Sequence, residues 1–100
     1  MLIVIGRARA RDGARDQLAA AAAGVATATR EDEGCMTYTF ACDLTDPEVV
    51  VSVEVWRDQV ALDAHMGHSH TKQFLAAVGD LVAGEPEMAF FVAEADGAVA

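Results

Sequence analysis

The fold is decided by Glu54-Val55-Trp56-Arg57-Asp58-Gln59-Val60-Ala61-Leu62-Asp63-Ala64-His65-Met66-Gly67-His68-Ser69-His70-Thr71-Lys72-Gln73-Phe74, which holds all three histidines and the single tryptophan. A strand hands over to a helix inside it. In Val49 to Arg57, the valines at 49, 51, 53 and 55 fill one face, and Ser52, Glu54 and Trp56 share the other. That is the period-two signature of a strand. Asp58 suits a helix N-cap. Gly67 interrupts the helical pattern, and His68 or Ser69 can cap a restart. Beyond it Phe74, Leu75, Val78, Leu81 and Val82 fall at i, i+1, i+4, i+7 and i+8, an apolar helical stripe that Gly84 and Pro86 stop.

Working upstream, Cys35 to Asp43 reads as a strand with Met36, Tyr38 and Phe40 on one face. A turn over Leu44 to Glu48, with Asp46-Pro47 in it, joins this strand to the next. Ala14 to about Glu31 reads as a helix through Leu18, Ala21, Ala22, Val25 and Ala28, helped by an alanine run of high helix propensity. Asp32-Glu33-Gly34 ends it, with Gly34 a C-terminal cap. Leu2 to Ala10 is the first strand and Met88 to Glu94 the last, leaving Asp96 to Ala100 as a frayed tail. The order β-α-β-β-α-β is the split βαβ, ferredoxin-like arrangement of an α+β fold with an antiparallel sheet. Residues 1–94 form the core of one domain spanning 1–100.

Helices in that fold cover one face of the sheet, yet the first, third and last strands are apolar on both. The chain is 53% hydrophobic, with a mean hydropathy of +0.22. A domain of this size buries only roughly two thirds of its unfolded surface. A homodimer is therefore expected, its two sheets forming a shared barrel-like core.

Charge narrows the function classes. A net charge of -9 cannot displace counterions from phosphates, which argues against nucleic acid, and an anionic membrane surface is disfavoured for the same reason. Arg7, Arg9, Arg11 and Arg15 cluster near the N-terminus, either as a solvated strand edge or as an attractor for an anionic substrate. No apolar run is long enough to span a bilayer. The N-terminal segment is apolar first and basic afterwards, the reverse of a secretory signal, so a cytoplasmic protein is expected. Cys35 and Cys42 lie in one strand at odd separation, on opposite faces, and cannot bridge each other. There is no GxGxxG, no GxxxxGK[ST] and no GxSxG.

The histidines carry the remaining chemistry, since imidazole moves protons near neutral pH. His65, within the first helical segment, is either a satisfied half-buried histidine or a general base facing a pocket beside Trp56. Trp56 is either core or a wall for a flat aromatic ligand. Tyr38 either packs or offers a phenolic hydrogen bond. His65, His68 and His70 form a metal set only if the break at Gly67 brings them together, with Glu54 able to add an oxygen. In one unbroken helix His70 points away from the other two. The metal-free expectation is preferred, with His68 and His70 at a polar helix junction.

The pattern Glu54-x-Trp56-x-x-x-x-Ala61-Leu62-x-x-His65, then His70 and Phe74, resembles the antibiotic biosynthesis monooxygenases, including their quinol monooxygenase branch. Glu33-Gly34-Cys35 with Tyr38 following is similar too, and the resemblance covers nearly the whole chain. It implies a ferredoxin-like dimeric α+β barrel, and oxidation of a hydroquinone or polycyclic phenol by O2 with no cofactor, whether metal, flavin or haem. The implied catalytic residues are His65 as base and Trp56. Tyr38, Ser52, His70 and Phe74 are the implied substrate-binding residues. The chain contains no asparagine. Asparagine roles in haem-degrading and some polyketide-oxidising members cannot be carried over, and Ser52, four residues before Trp56, is the substitute hydrogen-bond partner. The competing expectation is a dimeric module that binds or senses a small ligand without turnover.

Overall fold

In the computed structural model, which describes residues 1–95, the elements are β1 (Leu2–Ala10), α1 (Arg15–Thr29), β2 (Cys35–Asp43), β3 (Asp46–Trp56), α2 (Gln59–Gly67), α3 (Ser69–Val78) and β4 (Val82–Val92). The expected tail from Asp96 to Ala100 lies outside the described residues. The four strands form one antiparallel sheet in the order β2-β3-β1-β4. This is the ferredoxin-like α+β fold expected from the sequence.

Register fixes which side chains meet. Val4 pairs with Glu54 and Phe90, Gly6 with Ser52 and Met88, Tyr38 with Glu54, and Phe40 with Ser52. These residues share the face beneath the helices. Two apolar clusters sit there. One gathers Val4, Val25, Ala26, Tyr38, Ala61 and Leu62 around Trp56. The other joins Ala10, Leu18, Val50, Leu81 and Val82. Trp56 is fully buried. An indole hides on the order of 150–250 Å², worth roughly 4–6 kcal/mol of transfer free energy. The opposite face carries Ile5, Val53 and Phe91, all exposed. The pairing of Ile5 with Val53 puts two of them side by side.

Several sequence expectations are corrected. The helical stripe ends at Val78, and Leu81 and Val82 belong to the turn and strand that follow. Gly84 and Pro86 do not stop a helix; they sit inside β4. Between the pairs Arg7–Glu87 and Arg9–Ala83, β1 spends one residue and β4 spends three, so β4 bulges there. Gly84 supplies the left-handed backbone this needs (φ 74°), and a proline is tolerated at an edge-strand bulge. The β2–β3 turn is shorter than expected, and Pro47 already lies in β3.

Cys35 and Cys42 are not on opposite faces. A register shift between Cys35 and Thr37 turns Cys35 back toward the Trp56 cluster, while Cys42 packs on the other cluster. The helical pattern is interrupted at Gly67, as expected. That glycine is the last residue of α2, and the break falls at His68, whose extended backbone (φ -71°, ψ 148°) ends α2 and begins α3.

Candidate active site

α2 is placed by three contacts at its start. The Asp58 carboxylate caps the helix by accepting from the Ala61 amide at 2.9 Å. The Arg57 amide donates to the Gly34 carbonyl at 2.8 Å, tying the α1–β2 loop to the end of β3. Gly34 adopts φ 79°, and a Cβ there would collide with Cβ of Ala61. A glycine therefore lets the loop lie against α2. That close approach brings Asp32, two residues earlier, onto the histidines.

Asp32 is the hub. Its Oδ2 lies 3.0 Å from His65 Nδ1 and 3.0 Å from His70 Nε2. Its Oδ1 lies 3.8 Å from His68 Nε2. The Asp32 side chain is 8% exposed and that of His65 3%, whereas that of His68 is 46% exposed. Burial pushes the Asp32 carboxyl up, but the hydrogen bonds from His65 and His70 and the nearby imidazole charges outweigh it, so it ionises below its ordinary value. Thr71, itself buried, places its hydroxyl 3.2 Å from the same His65 Nδ1. With Nδ1 held in this way, Nε2 is the ring nitrogen left to act on a ligand.

A cavity of about 390 Å³ opens beneath the helices, lined by members of both apolar clusters. Ligand pockets typically fall between about 300 and 1,000 Å³. His65, Tyr38, Ser52 and Phe74 all line it, with Glu54 as its acidic member. Gly6 forms part of the floor; a side chain there would strike Ser52 Oγ and approach Met88 Sδ to 3.0 Å. Arg7 reaches the cavity and also pairs with Asp43 at 3.2 Å, while Arg9 pairs with Asp46. The arginine cluster is thus partly committed to the β2–β3 turn.

Two expected site residues sit differently from the rest. Trp56 is not among the lining residues. Its ring lies against His65, centroids 4.7 Å apart, and its indole N–H donates to Glu54 Oε1 at 2.9 Å. It forms the wall behind the imidazole. His70 is not a lining residue either and is held by Asp32 and stacked beside His68 at 5.3 Å. Burial is the main cause raising the Glu54 carboxyl above its ordinary value, against the indole hydrogen bond and His65. Burial, followed by the Glu54 charge, likewise raises the Tyr38 phenol well above its ordinary value, so it stays protonated and can donate.

Asp32 and Thr71 were missed as site residues. Asp32 read only as a helix terminator, because nothing local links it to histidines 33 and 38 residues away. The adjoining Glu33-Gly34-Cys35 was the available signal. It marks a loop that returns to the sheet beside Trp56.

Residues 1–77 match the antibiotic biosynthesis monooxygenase family, and the chain belongs to it. The Mycobacterium tuberculosis protein named "Putative monooxygenase Rv0793" is 35% identical over 79 residues, covering 79% of this chain and 77% of that protein. Its solved structure superposes with a TM-score of 0.90 at 28% identity, over 97% of this chain and 98% of the other. An antibiotic biosynthesis monooxygenase-type structure from Deinococcus radiodurans gives a TM-score of 0.89 at 24% identity, over 100% and 99%, and so shares the fold. An uncharacterised Synechocystis protein, sll1783, is 26% identical over 90 residues; the match takes in 90% of this chain but only 61% of that protein's length.

Proposed function

We propose that this protein is a cofactor-independent monooxygenase that oxidises a hydroquinone or polycyclic phenol with O2 in the cavity beneath the helices. Family membership and the monooxygenase names of its relatives support a general monooxygenase-like role. The observation that carries the finer reading is His65, which lines an apolar cavity while its Nδ1 is held by a buried carboxylate.

The chemistry follows from that arrangement. His65 Nε2 takes the phenolic proton, and Asp32 stabilises the imidazolium that forms. The phenolate is electron-rich enough to pass an electron to O2, and the radical pair combines at a ring carbon. One oxygen atom remains on the ring and the other leaves as water. All four electrons come from the substrate, so a hydroquinone ends as a hydroxyquinone. Tyr38 and Ser52 supply hydrogen bonds to the substrate's oxygens, and Phe74 supplies an apolar contact. Trp56 and His70 act from behind, one as a wall and one as a brace on Asp32.

A homodimer completes the proposal. The uncovered sheet face displays Ile5, Val53 and Phe91, and apposing it to a second copy would bury them. Two free cysteines suit a reducing, cytoplasmic setting. No helix among the described residues is long and apolar enough to cross a membrane. The partners of this reading are a small aromatic substrate, O2 and a second copy of the chain.

The test is O2 consumption by metal-stripped protein on naphthohydroquinones and anthrones, comparing wild type with His65→Ala. Turnover that survives chelation and falls at least a hundredfold in the variant is expected. Ligand binding without turnover, indifferent to His65→Ala, would instead establish the binding module.

A further inference from the structure

The geometry points to a binding site for a divalent transition ion of the zinc class at Asp32, His65 and His70, with His68 as the fourth ligand, and we propose that its occupation switches His65 off as a base. The switch rests on the proposed oxygenase chemistry; the ion site does not.

Asp32 Oδ2, His65 Nδ1 and His70 Nε2 all lie within 4.8 Å of one another. The carboxylate oxygen is 3.0 Å from each nitrogen. Zinc holds nitrogen and oxygen ligands at about 2.0–2.2 Å, so two ligands on one tetrahedral ion stand roughly 3.3 Å apart. The two carboxylate–imidazole pairs are therefore already near the spacing an ion requires, and the two nitrogens, within 4.8 Å of each other, need to close by at most about 1.5 Å to share it. Two imidazoles and one carboxylate are a donor set suited to zinc, nickel or copper. The set is also held in place before any ion arrives: His65 and the Asp32 carboxylate are buried, and the Gly34 turn fixes the loop. His68 supplies an entrance. Its side chain is half exposed, its ring stacks on His70, and its Nε2 stands 3.8 Å from Asp32 Oδ1. The break at His68 makes this possible, by turning α3 so that His68 and His70 face the α1–β2 loop together.

The consequence for catalysis is a matter of where one proton sits. A neutral imidazole carries a proton on one nitrogen and a lone pair on the other. Without an ion, His65 donates its Nδ1 proton to Asp32, and the Nε2 lone pair is free to accept a proton from the substrate. An ion takes the Nδ1 lone pair, so the ring proton must reside on Nε2. His65 then presents a donor where the reaction needs an acceptor. His70 undergoes the matching exchange, ligating through Nε2 with its proton on Nδ1. Neither ring changes its charge, so the exchange balances without net proton release. The ion also removes Asp32 as the counter-charge for an imidazolium.

The experiment combines calorimetric titration of metal-stripped protein with Zn2+, long-range 1H–15N spectra of the histidine rings, and oxygen uptake at matched zinc concentrations. One Zn2+ per chain is expected, with affinity reduced at least about a hundredfold in Asp32→Asn and roughly tenfold in His68→Ala, the latter with normal uptake in the absence of zinc. The His65 proton should move from Nδ1 to Nε2 as zinc binds, and uptake should fall along the same curve. No binding by wild type would overturn the site, and so would affinity unchanged in both variants. Binding that leaves the proton on Nδ1, or leaves uptake intact, would overturn the switch. Should Asp32→Asn fail to fold, His68→Ala on the half-exposed rim still decides the ligand assignment. Absence of turnover with every quinol would refute the oxygenase reading, while the titration and the ring spectra would still decide the ion site and the tautomer exchange.

Discussion

Replacing Asp32 with asparagine tests whether the carboxylate that gathers the histidines contributes its charge or only its shape. Both short bonds, from His65 and His70, end on the same oxygen, Oδ2. An amide placed with its oxygen at that position can still accept both, so Asp32→Asn removes charge while conserving geometry. A hydrogen bond to a charged group contributes about 1.5–3 kcal/mol against about 1 for a neutral one, so two such bonds lose roughly 1–4 kcal/mol. Burial of the carboxylate works in the other direction and is relieved by the substitution. The net loss expected is therefore about 1–2 kcal/mol. Asp32→Ala, which leaves His70 Nε2 without a partner and His65 Nδ1 with the Thr71 hydroxyl alone, should cost about 1–3 kcal/mol more.

The pH dependence has a definite sign. The folded carboxyl is held below its ordinary value. Its stabilisation is thus fully present above the unfolded value near 3.9 and is lost as pH falls through the folded one. The gap between wild type and Asp32→Asn should be full at neutral pH and close below about pH 4. The assay is urea unfolding at fixed protein concentration, followed by fluorescence of Trp56, the sole tryptophan and a direct neighbour of His65. Oxygen uptake should fall by up to roughly ten-thousandfold, the loss found when the carboxylate behind a catalytic triad imidazole becomes an amide. Equal stability at neutral pH, together with an unchanged acid limb, would refute the charge argument.

Three further outcomes are expected. Gly34→Ala should lose roughly 2–5 kcal/mol of unfolding free energy, from a left-handed backbone and an overlap with Ala61; Ala61→Gly in the same chain should restore only the steric part, as read from urea midpoints. Glu54→Gln keeps the acceptor for the Trp56 indole but removes a carboxyl whose value burial raises, so wild type loses stability as pH rises through that value. The variant should gain on wild type in thermal melts as pH rises above the ordinary glutamate value of about 4.3, and parallel profiles would refute this. Gly67→Ala should be neutral or stabilising by up to about 1 kcal/mol with the His68 break intact, because its added Cβ meets nothing and its backbone is helical; loss of stability or of uptake would show that the glycine itself makes the break.

Much of the fold was legible because its cues are local. The period-two pattern before Trp56 and the helical spacing after Asp58 each act within a few residues. The Asp58 cap expected from the sequence is present as a 2.9 Å bond. Misreadings fell where a distant strand overrides the local signal. Leu81 and Val82 continue the helical spacing of α3, yet β1 offers Val82 a partner in Ala10 and the chain crosses into the sheet. Gly84 and Pro86 then act as bulge residues rather than as a stop. The face of Cys35 was misplaced for a related reason, since one register shift against β3 inverts the parity that sequence spacing predicts.

The candidate site was half legible, and the division has a physical cause. Tyr38, Ser52, His65 and Phe74 lie on elements whose facing can be read from periodicity, and all four line the cavity. Asp32 lies on a loop, and its role depends on where the end of α1 meets the junction of α2 and α3, a contact no single segment encodes. The sequence does carry what makes this contact possible, in two places. Gly34 is the residue that can turn with φ 79° beneath Ala61. His68 is where the chain leaves helical geometry, so that His65 and His70 need not obey the spacing of one helix. On a continuous helix those two side chains, five residues apart, would diverge by about 140°. The break replaces that divergence with convergence on one carboxylate oxygen, so the three residues act as a unit.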